Sequence, residues 1–298
     1  MPSLSVMRNG MSCLYNFHRI LVAITNISKS IPCVTCRNLS LVVIAVLFLA
    51  LVAPIPSVSA ADRVINVAAA ADLSAALQEV AANYQKRSGV AVKLSFGASG
   101  ALTQQIQNGA PFDVFFSADM DYPRQLIAGG QAESSTLYRY AVGQLVLWVR
   151  KDSPLDVEHS GIQVLLDPSV KKIAVANPQH APYGRAAIST LKHYDLYQKV
   201  AGRLVLGENV SQAAQFVESG NAQAGFVALA HAMAPAMRGK GKYWIVPADA
   251  YPMLAQGAVL ISRSAHRQDA AAFLEYMKSA EVAAVVQRYG FSVSEQKR

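Results

Sequence analysis

From Asp62 onward the chain alternates short β-branched runs with stretches whose apolar residues recur every three or four positions, the pattern of a sheet covered by helices. Val64 to Val67 predicts a first strand. Leu73, Ala76, Leu77, Val80, Ala81 and Tyr84 then share one helical face, and Ser88-Gly89 stops that helix. Ala91 to Ser95 predicts the next strand. The turn Phe96-Gly97-Ala98-Ser99-Gly100 leads into a helix through Leu102, Ile106 and Gln107, and Asp113 to Phe116 reads as a third, buried strand.

Beyond Tyr140 a strand over Gln144 to Trp148 leads to a polar surface stretch around Lys151 to Gly161, and a second series begins. Lys172 to Val175 predicts a strand, Asn177 to Gly184 a long turn, and Arg185 to His193 a helix. Arg203 to Leu206, Gly207 to Asn209, Val210 to Glu218 and Gly225 to Ala228 repeat the order of strand, turn, helix and strand. Met253 to Ser262 predicts a late strand, Ala270 to Ser279 and Glu281 to Tyr289 two amphipathic helices, and the polar tail from Ser294 is expected to fray. No sequence repeat supports duplication, yet the two series are organised alike. The fold class is α/β, in two lobes, each a mixed and mostly parallel sheet flanked by helices. One lobe spans 62–142 plus 252–298 and the other 143–251. Open α/β sheets bind ligands beyond the carboxyl ends of their strands, so two facing lobes make one cleft.

Residues 1–60 stand apart as a signal peptide or leader that is removed. Arg8, Arg19, Lys29 and Arg37 precede the apolar run from Leu41 to Leu51, which is shorter than the ~20 residues that span a bilayer. Val58-Ser59-Ala60 offers small residues for cleavage before Ala61; an uncleaved anchor is the alternative. Cys13, Cys33 and Cys36 all lie in this leader, so the part that follows is cysteine-free. The expected location is the periplasm, an oxidising compartment entered without disulfides. Four of the 27 basic residues and none of the 19 acidic ones lie in the leader, which leaves a balance near +4. Basic residues are scattered apart from Arg238 to Lys242, read as a solvated loop; this is no footprint for nucleic acid.

Four strand-to-helix turns concentrate the candidate chemistry, at Ala71-Asp72, Gly97 to Ser99, Pro182 to Gly184 and Asn209-Val210. Each presents unpaired backbone N–H groups and the positive end of a helix dipole, and small residues let a ligand reach them. Arg185 just beyond Tyr183 is the one cation nearby, so the expected ligand is a small anion held by neutral dipoles. Asp, Ser and Asn are also ordinary helix caps, and it is the number and distribution of the turns, two per series, that favours a site. Enzyme signals are weak. Gly97-Ala98-Ser99-Gly100-Ala101 lacks the second glycine of a nucleophile elbow. His159, His180, His193, His231 and His266 show no paired metal spacing, and no cofactor is expected.

Several longer segments carry a resemblance: Leu94 to Gly100, Asn108 to Asp119, Ala176 to Gly184, Gly225 to Leu229 and Tyr289 to Phe291. In these the chain resembles the periplasmic molybdate-binding proteins of ATP-driven importers over nearly all of its length beyond the leader. The resemblance implies a type II periplasmic binding protein fold that closes on one tetrahedral oxyanion, molybdate or tungstate, and partners in a membrane permease and an ATPase of an ABC importer. It implies a monomer, no nucleic acid and no enzyme. The molybdenum would be held as its oxyanion, without direct metal ligands, by Ala71, Asp72, Ser99, Tyr183 and Val210. Ser99 would offer hydroxyl and N–H, Tyr183 phenol and N–H, and Val210 N–H. Relatives bring a tyrosine from the Tyr183 or the Ala228 position, and this chain has the first arrangement. A same-fold receptor for another small oxyanion or solute and, remotely, a periplasmic hydrolase using Ser99 are the alternatives.

The first turn departs from that pattern, with Ala71 and Asp72 where relatives carry Ser or Thr, or an Asn beside it. A carboxylate about 4 Å from a dianion at an effective dielectric near 20 costs on the order of 8 kcal/mol. That equals a micromolar affinity. The expectation is that Asp72 turns away, or caps Ser74 and Ala75, leaving backbone N–H groups of Ala71 and Asp72 to the ligand. A protonated Asp72, or a different ligand, are the alternatives.

Overall fold

The computed structural model describes residues 63–293. The expected leader, its three cysteines, the cleavage point and the frayed tail from Ser294 lie outside the described residues. Within them no helix is long and apolar enough to cross a membrane.

Two five-stranded sheets organise the chain. The first takes β1 (Val64–Ala70), β2 (Ala91–Gly97), β3 (Val114–Ser117), β4 (Tyr138–Gly143) and β10 (Leu254–Leu260), in the order β2-β1-β3-β10-β4. The second takes β5 (Leu145–Arg150), β6 (Ile173–Ala176), β7 (Leu204–Gly207), β8 (Ala224–Ala228) and β9 (Gly241–Ile245), in the order β7-β6-β8-β5-β9. In each sheet one half pairs parallel and the other antiparallel. The chain crosses from the first sheet to the second between Gly143 and Leu145, and returns between Ile245 and Leu254. The fold is thus a two-lobed α/β arrangement.

The helices that matter for the site follow strands directly. They are α1 (Ser74–Ser88), α2 (Ser99–Gln107), α3 (Asp121–Ala128), α4 (Pro182–His193), α5 (Val210–Glu218) and α6 (Leu229–Met233); α7 (Arg267–Tyr276) and α8 (Ala280–Arg288) close the described chain. Gly89 ends α1 in the left-handed region at φ 72°, its N–H bonded to the Gln85 carbonyl, and Lys86 and Arg87 sit at the negative end of the dipole. Between β1 and α1 lies a single 3₁₀ turn, Ala71–Leu73.

Several boundaries differ from the sequence reading. β1 runs on to Ala70, because Ala68 to Ala70 pair with Ser95 to Gly97 on one side and Ala68 and Ala69 with Phe115 and Phe116 on the other. A central strand buried on both faces overrides alanine's weak strand preference. β4 was not anticipated, and neither was β9, which begins inside the expected basic loop. Lys242 is not solvated there; its ammonium donates to the carbonyls of Ser153 (3.0 Å) and Leu155 (3.2 Å). The stretch from Lys151 to Gly161 is correspondingly not all surface, since Leu155 and Val157 are buried.

The anticipated face of α1 is buried: Ala76, Leu77, Val80, Ala81 and Tyr84. Tyr84 packs edge-on against Phe273 of α7 (5.0 Å between ring centroids), Phe273 against Phe116 of β3 (6.1 Å), and Phe116 against Tyr140 of β4 (5.5 Å). Each such side chain is worth about 1.5–3 kcal/mol of burial. This aromatic file fixes the end of β3 and the Tyr140 phenol, both of which reach the site.

Candidate functional site

A small cavity lies beyond the carboxyl ends of strands from both sheets, where open α/β sheets place ligands. The first lobe lines it with Ala70 to Asp72 after β1, Gly97 to Ser99 after β2 and Ala118 after β3; the second lines it with Ala181 to Tyr183 at the start of α4 and with Asn209 and Val210 at the start of α5. The space is about 190 Å³ including its mouth. Ala71, Asp72, Ser99, Tyr183 and Val210 are all brought together here, and each is at most 4% exposed.

The donors are backbone groups at helix starts, whose first amides have no intrahelical acceptor. At α5 the Asn209 side chain caps the N–H groups of Ser211 (3.0 Å) and Gln212 (3.1 Å), which leaves the Val210 N–H, ahead of the capped pair, to the cavity. Pro182 opens α4 with its fixed φ and no N–H of its own, so the Tyr183 amide is the first donor of that helix. Ser99 opens α2. Its hydroxyl accepts from the Ala118 N–H (3.0 Å), so the hydroxyl proton remains to be donated into the cavity. Among the described residues no lysine or arginine lines the space.

Of the two expectations for Asp72, that it turns away or that it caps Ser74 and Ala75, the cap is not formed. The 3₁₀ turn and α1 have no side-chain cap, and the carboxylate instead accepts from the Gln256 amide through Oδ2. Gln256 is itself positioned: its Oε1 accepts from the Tyr140 phenol (2.5 Å), and its Nε2 also lies 3.3 Å from the Tyr183 hydroxyl. Oδ1 of Asp72 is buried and has no partner among the described residues. Burial pushes the Asp72 carboxyl up to about 6, the Gln256 amide and Tyr183 phenol offsetting part of the rise. Burial, with the nearby Asp72 charge, also holds the Tyr140 and Tyr183 phenols well above their ordinary range, so both stay protonated. At the crossover Gly143, a Cβ would collide with the Tyr183 hydroxyl and the Gln256 amide, so only glycine lets those two meet.

Contacts from one lobe to the other surround the cavity. The Gly100 N–H donates to the His180 carbonyl (2.9 Å), and Ser211 Oγ donates to the Ala71 carbonyl (3.2 Å). Because that donation uses the Ser211 proton, His231 of α6 must donate from Nε2 to Ser211 Oγ (2.7 Å), leaving Nδ1 bare and without a partner among the described residues. Burial lowers His231 to about 4, which keeps it neutral. At the rim, Arg185 of α4 pairs with Asp119 (2.5 Å), bonds the Tyr122 hydroxyl (3.2 Å) and stacks over the Tyr122 ring at 5.4 Å. Asp119 also accepts from the N–H groups of Asp121 and Tyr122 at the start of α3 (3.1 Å each). Burial still leaves its carboxyl above the ordinary value.

Gln256, Tyr140, Ser211 and His231 were not anticipated. Gln256 had a signal, as the lone polar side chain in the buried run Leu254-Ala-Gln-Gly-Ala-Val-Leu260; the other three had none. Ser99 meets a backbone amide rather than a base, so it lacks an activating partner. Among the described residues no group of three or more His, Cys, Asp or Glu could hold a metal ion.

A family described as bacterial extracellular solute-binding protein matches residues 65–292. The molybdate-binding protein ModA of Azotobacter vinelandii is 37% identical over 229 residues, covering 77% of this chain and 90% of its own. Its namesake in Rhodobacter capsulatus is 36% identical over 243 residues, covering 82% and 93%. The solved structure of the Azotobacter vinelandii periplasmic molybdate-binding protein superposes with a TM-score of 0.73 at 36% identity, covering 78% of this chain and all of the other.

Proposed function

The chain belongs to the bacterial extracellular solute-binding proteins, and from that premise we propose that it captures molybdate or tungstate in the periplasm and hands it to an ABC importer. As a solute-binding protein it is a transport receptor and not an enzyme. The observation that carries the reading is the convergence of four helix or 3₁₀ starts, two from each lobe, on one small cavity with no cation in its lining. Neutral donors fixed by backbone geometry suit a compact dianion, whose charge they spread over many weakly polar contacts. The names of the relatives at 36–37% identity support the choice of anion.

In this reading Ala71, Asp72, Ser99, Tyr183 and Val210 form the shell, and no further cofactor takes part. The lobes close on the anion, and the closed monomer is recognised by the membrane permease, with an ATPase driving transport. Residues 1–60 direct export and are cleaved. Sulfate is rejected because a rigid ring of donors spaced for a larger ion leaves long hydrogen bonds to a smaller one. Calorimetric titration of the purified protein with molybdate, tungstate, sulfate and phosphate tests this. One-to-one binding of the first two, much tighter than of the others, is expected; no heat from either would end the reading.

A further inference from the structure

An acidic side chain in the lining of an anion cavity needs an electrostatic explanation, and the geometry around Asp72 supplies one. Oδ2 is committed to the Gln256 amide, whose orientation is set by the Tyr140 phenol donating to Oε1. Oδ1 is the remaining oxygen, buried and unpartnered among the described residues, on a residue that lines the cavity. With the amide donor fixed on Oδ2, a proton on this carboxyl belongs on Oδ1.

We propose that Asp72 is a specificity-determining residue that carries a proton on Oδ1 when the oxyanion is bound and donates it to an anion oxygen, so that the protein takes up the dianion together with about one proton. The proton comes from solvent on binding and returns to it on release, and no covalent bond to the anion forms or breaks. This rests on the reading above of the cavity as an oxyanion site.

The surroundings agree. The titratable groups facing Asp72 are the Tyr140 phenol from β4 and the Tyr183 phenol from α4, both held protonated by burial. Tyr251 stands behind Tyr183, bonded to the Leu145 N–H, and neutral His231 meets the turn at Ser211 and the Ala71 carbonyl. The charged pair Asp119–Arg185 lies at the rim, outside the lining. No cation therefore neutralises an Asp72 carboxylate from inside the cavity. A neutral carboxyl removes the like-charge repulsion that an ionised one would exert on the dianion and adds a donor. With the lobes in contact the carboxyl needs little to protonate it, since burial holds it at about 6.

Calorimetry in pairs of buffers of different ionisation enthalpy, between about pH 6 and about pH 8.5, counts the protons directly. In this range the free dianion does not itself take one up. Molybdate binding is expected to take up about one proton near pH 8 and about half of one near pH 6, and affinity should fall about tenfold per pH unit above about 6. Asp72→Asn, which places an N–H where the carboxyl proton stood, should bind molybdate with flat pH dependence and no uptake. Tight molybdate binding by the unaltered protein with no uptake and no pH dependence would overturn the inference and leave the functional reading standing. Failure to bind molybdate or tungstate at any pH would overturn the functional reading itself. Tight binding of phosphate near pH 8 without uptake, lost in Asp72→Asn, would show Asp72 accepting a proton that the anion brings, and would also overturn the inference.

Discussion

Arg185 bridges the lobes at the rim of the cavity without entering it, so it separates closure from ligand contact. Arg185→Gln removes an ion pair to Asp119, a hydrogen bond to the Tyr122 hydroxyl and a stacking contact on the Tyr122 ring. The arginine side chain is 42% exposed, so the ion pair counts as a screened one, about 0–1 kcal/mol. The cation–π contact adds about 0.5–1 kcal/mol and the guanidinium's partly exposed hydrogen bond to the Tyr122 hydroxyl about 1 kcal/mol. All three partners lie on the opposite lobe, so the loss of about 2 kcal/mol falls on the closed form alone. If the free protein is mainly open, apparent affinity drops by that full amount, about thirtyfold, and the change appears in the dissociation rate. Titration calorimetry and stopped-flow release read both quantities, while small-angle scattering follows the compaction that accompanies binding. The Asp119→Asn partner, which keeps an oxygen for the Asp121 and Tyr122 amides, completes a double-mutant cycle. Wild-type affinity in Arg185→Gln, with no coupling to Asp119, would refute closure held by this latch.

Ser99→Ala deletes a hydroxyl donor to the anion and the acceptor of the Ala118 N–H. Affinity should fall by about 1.5–3 kcal/mol and stability by about 1–3 kcal/mol, read by titration and thermal unfolding; unchanged affinity would remove Ser99 from the shell. Gly143→Ala drives a methyl into the Tyr183 hydroxyl and the Gln256 amide. About 1–3 kcal/mol of overpacking should lower the melting temperature by several degrees and weaken binding, whereas a silent substitution would mean that Tyr183 and Gln256 are not positioned as described. Without ligand, Asp72 makes the fold prefer acid. Its folded value of about 6 lies above the ordinary carboxylate value, so its penalty is absent below about pH 4, grows as pH rises towards 6 and is complete above it. Asp72→Asn should therefore stabilise the protein by about 3 kcal/mol at pH 8 and hardly at all near pH 4, in melts at each pH; equal effects at both would refute it. His231 acts in the opposite sense, since a value near 4 penalises the fold as pH falls from about 6.5, and His231→Gln should flatten that acid slope.

The parts of this molecule legible in sequence were those written in short-range pattern. The apolar spacing of α1, the strand-turn-helix rhythm of both series and the small residues at four helix starts are local signals, and they picked out residues that the fold brings to one cavity. What pattern could not convey was long-range pairing. β9 opens in a run that reads as a basic turn, and becomes a strand because β5 offers it an antiparallel edge. Gln256 lies 184 residues from Asp72, and only the crossing of β10 beside β3 brings the two together. The cap that was one of the two expectations for Asp72 rested on the commonest local habit of aspartate at a helix start. A partner from the far end of the chain won over that habit.

That outcome bears on how the site distributes its donors. Each lobe contributes two helix or 3₁₀ starts, so neither lobe alone can complete the shell, and the anion gains its last donors only when the lobes meet. Affinity is then coupled to closure without any cationic side chain in the cavity lining, and the Arg185–Asp119 contact can tune the closed state from outside. A lysine or arginine inside would bind the same anion to one lobe and weaken that coupling, because the open form would already hold it. The same logic accounts for a carboxyl at the site. Asp72 belongs to the first lobe, but the phenol beside it, Tyr183, comes from the second, so closing the lobes buries the carboxyl further and favours its protonated form. Closure, proton uptake and anion binding thereby favour one another through a single buried cluster.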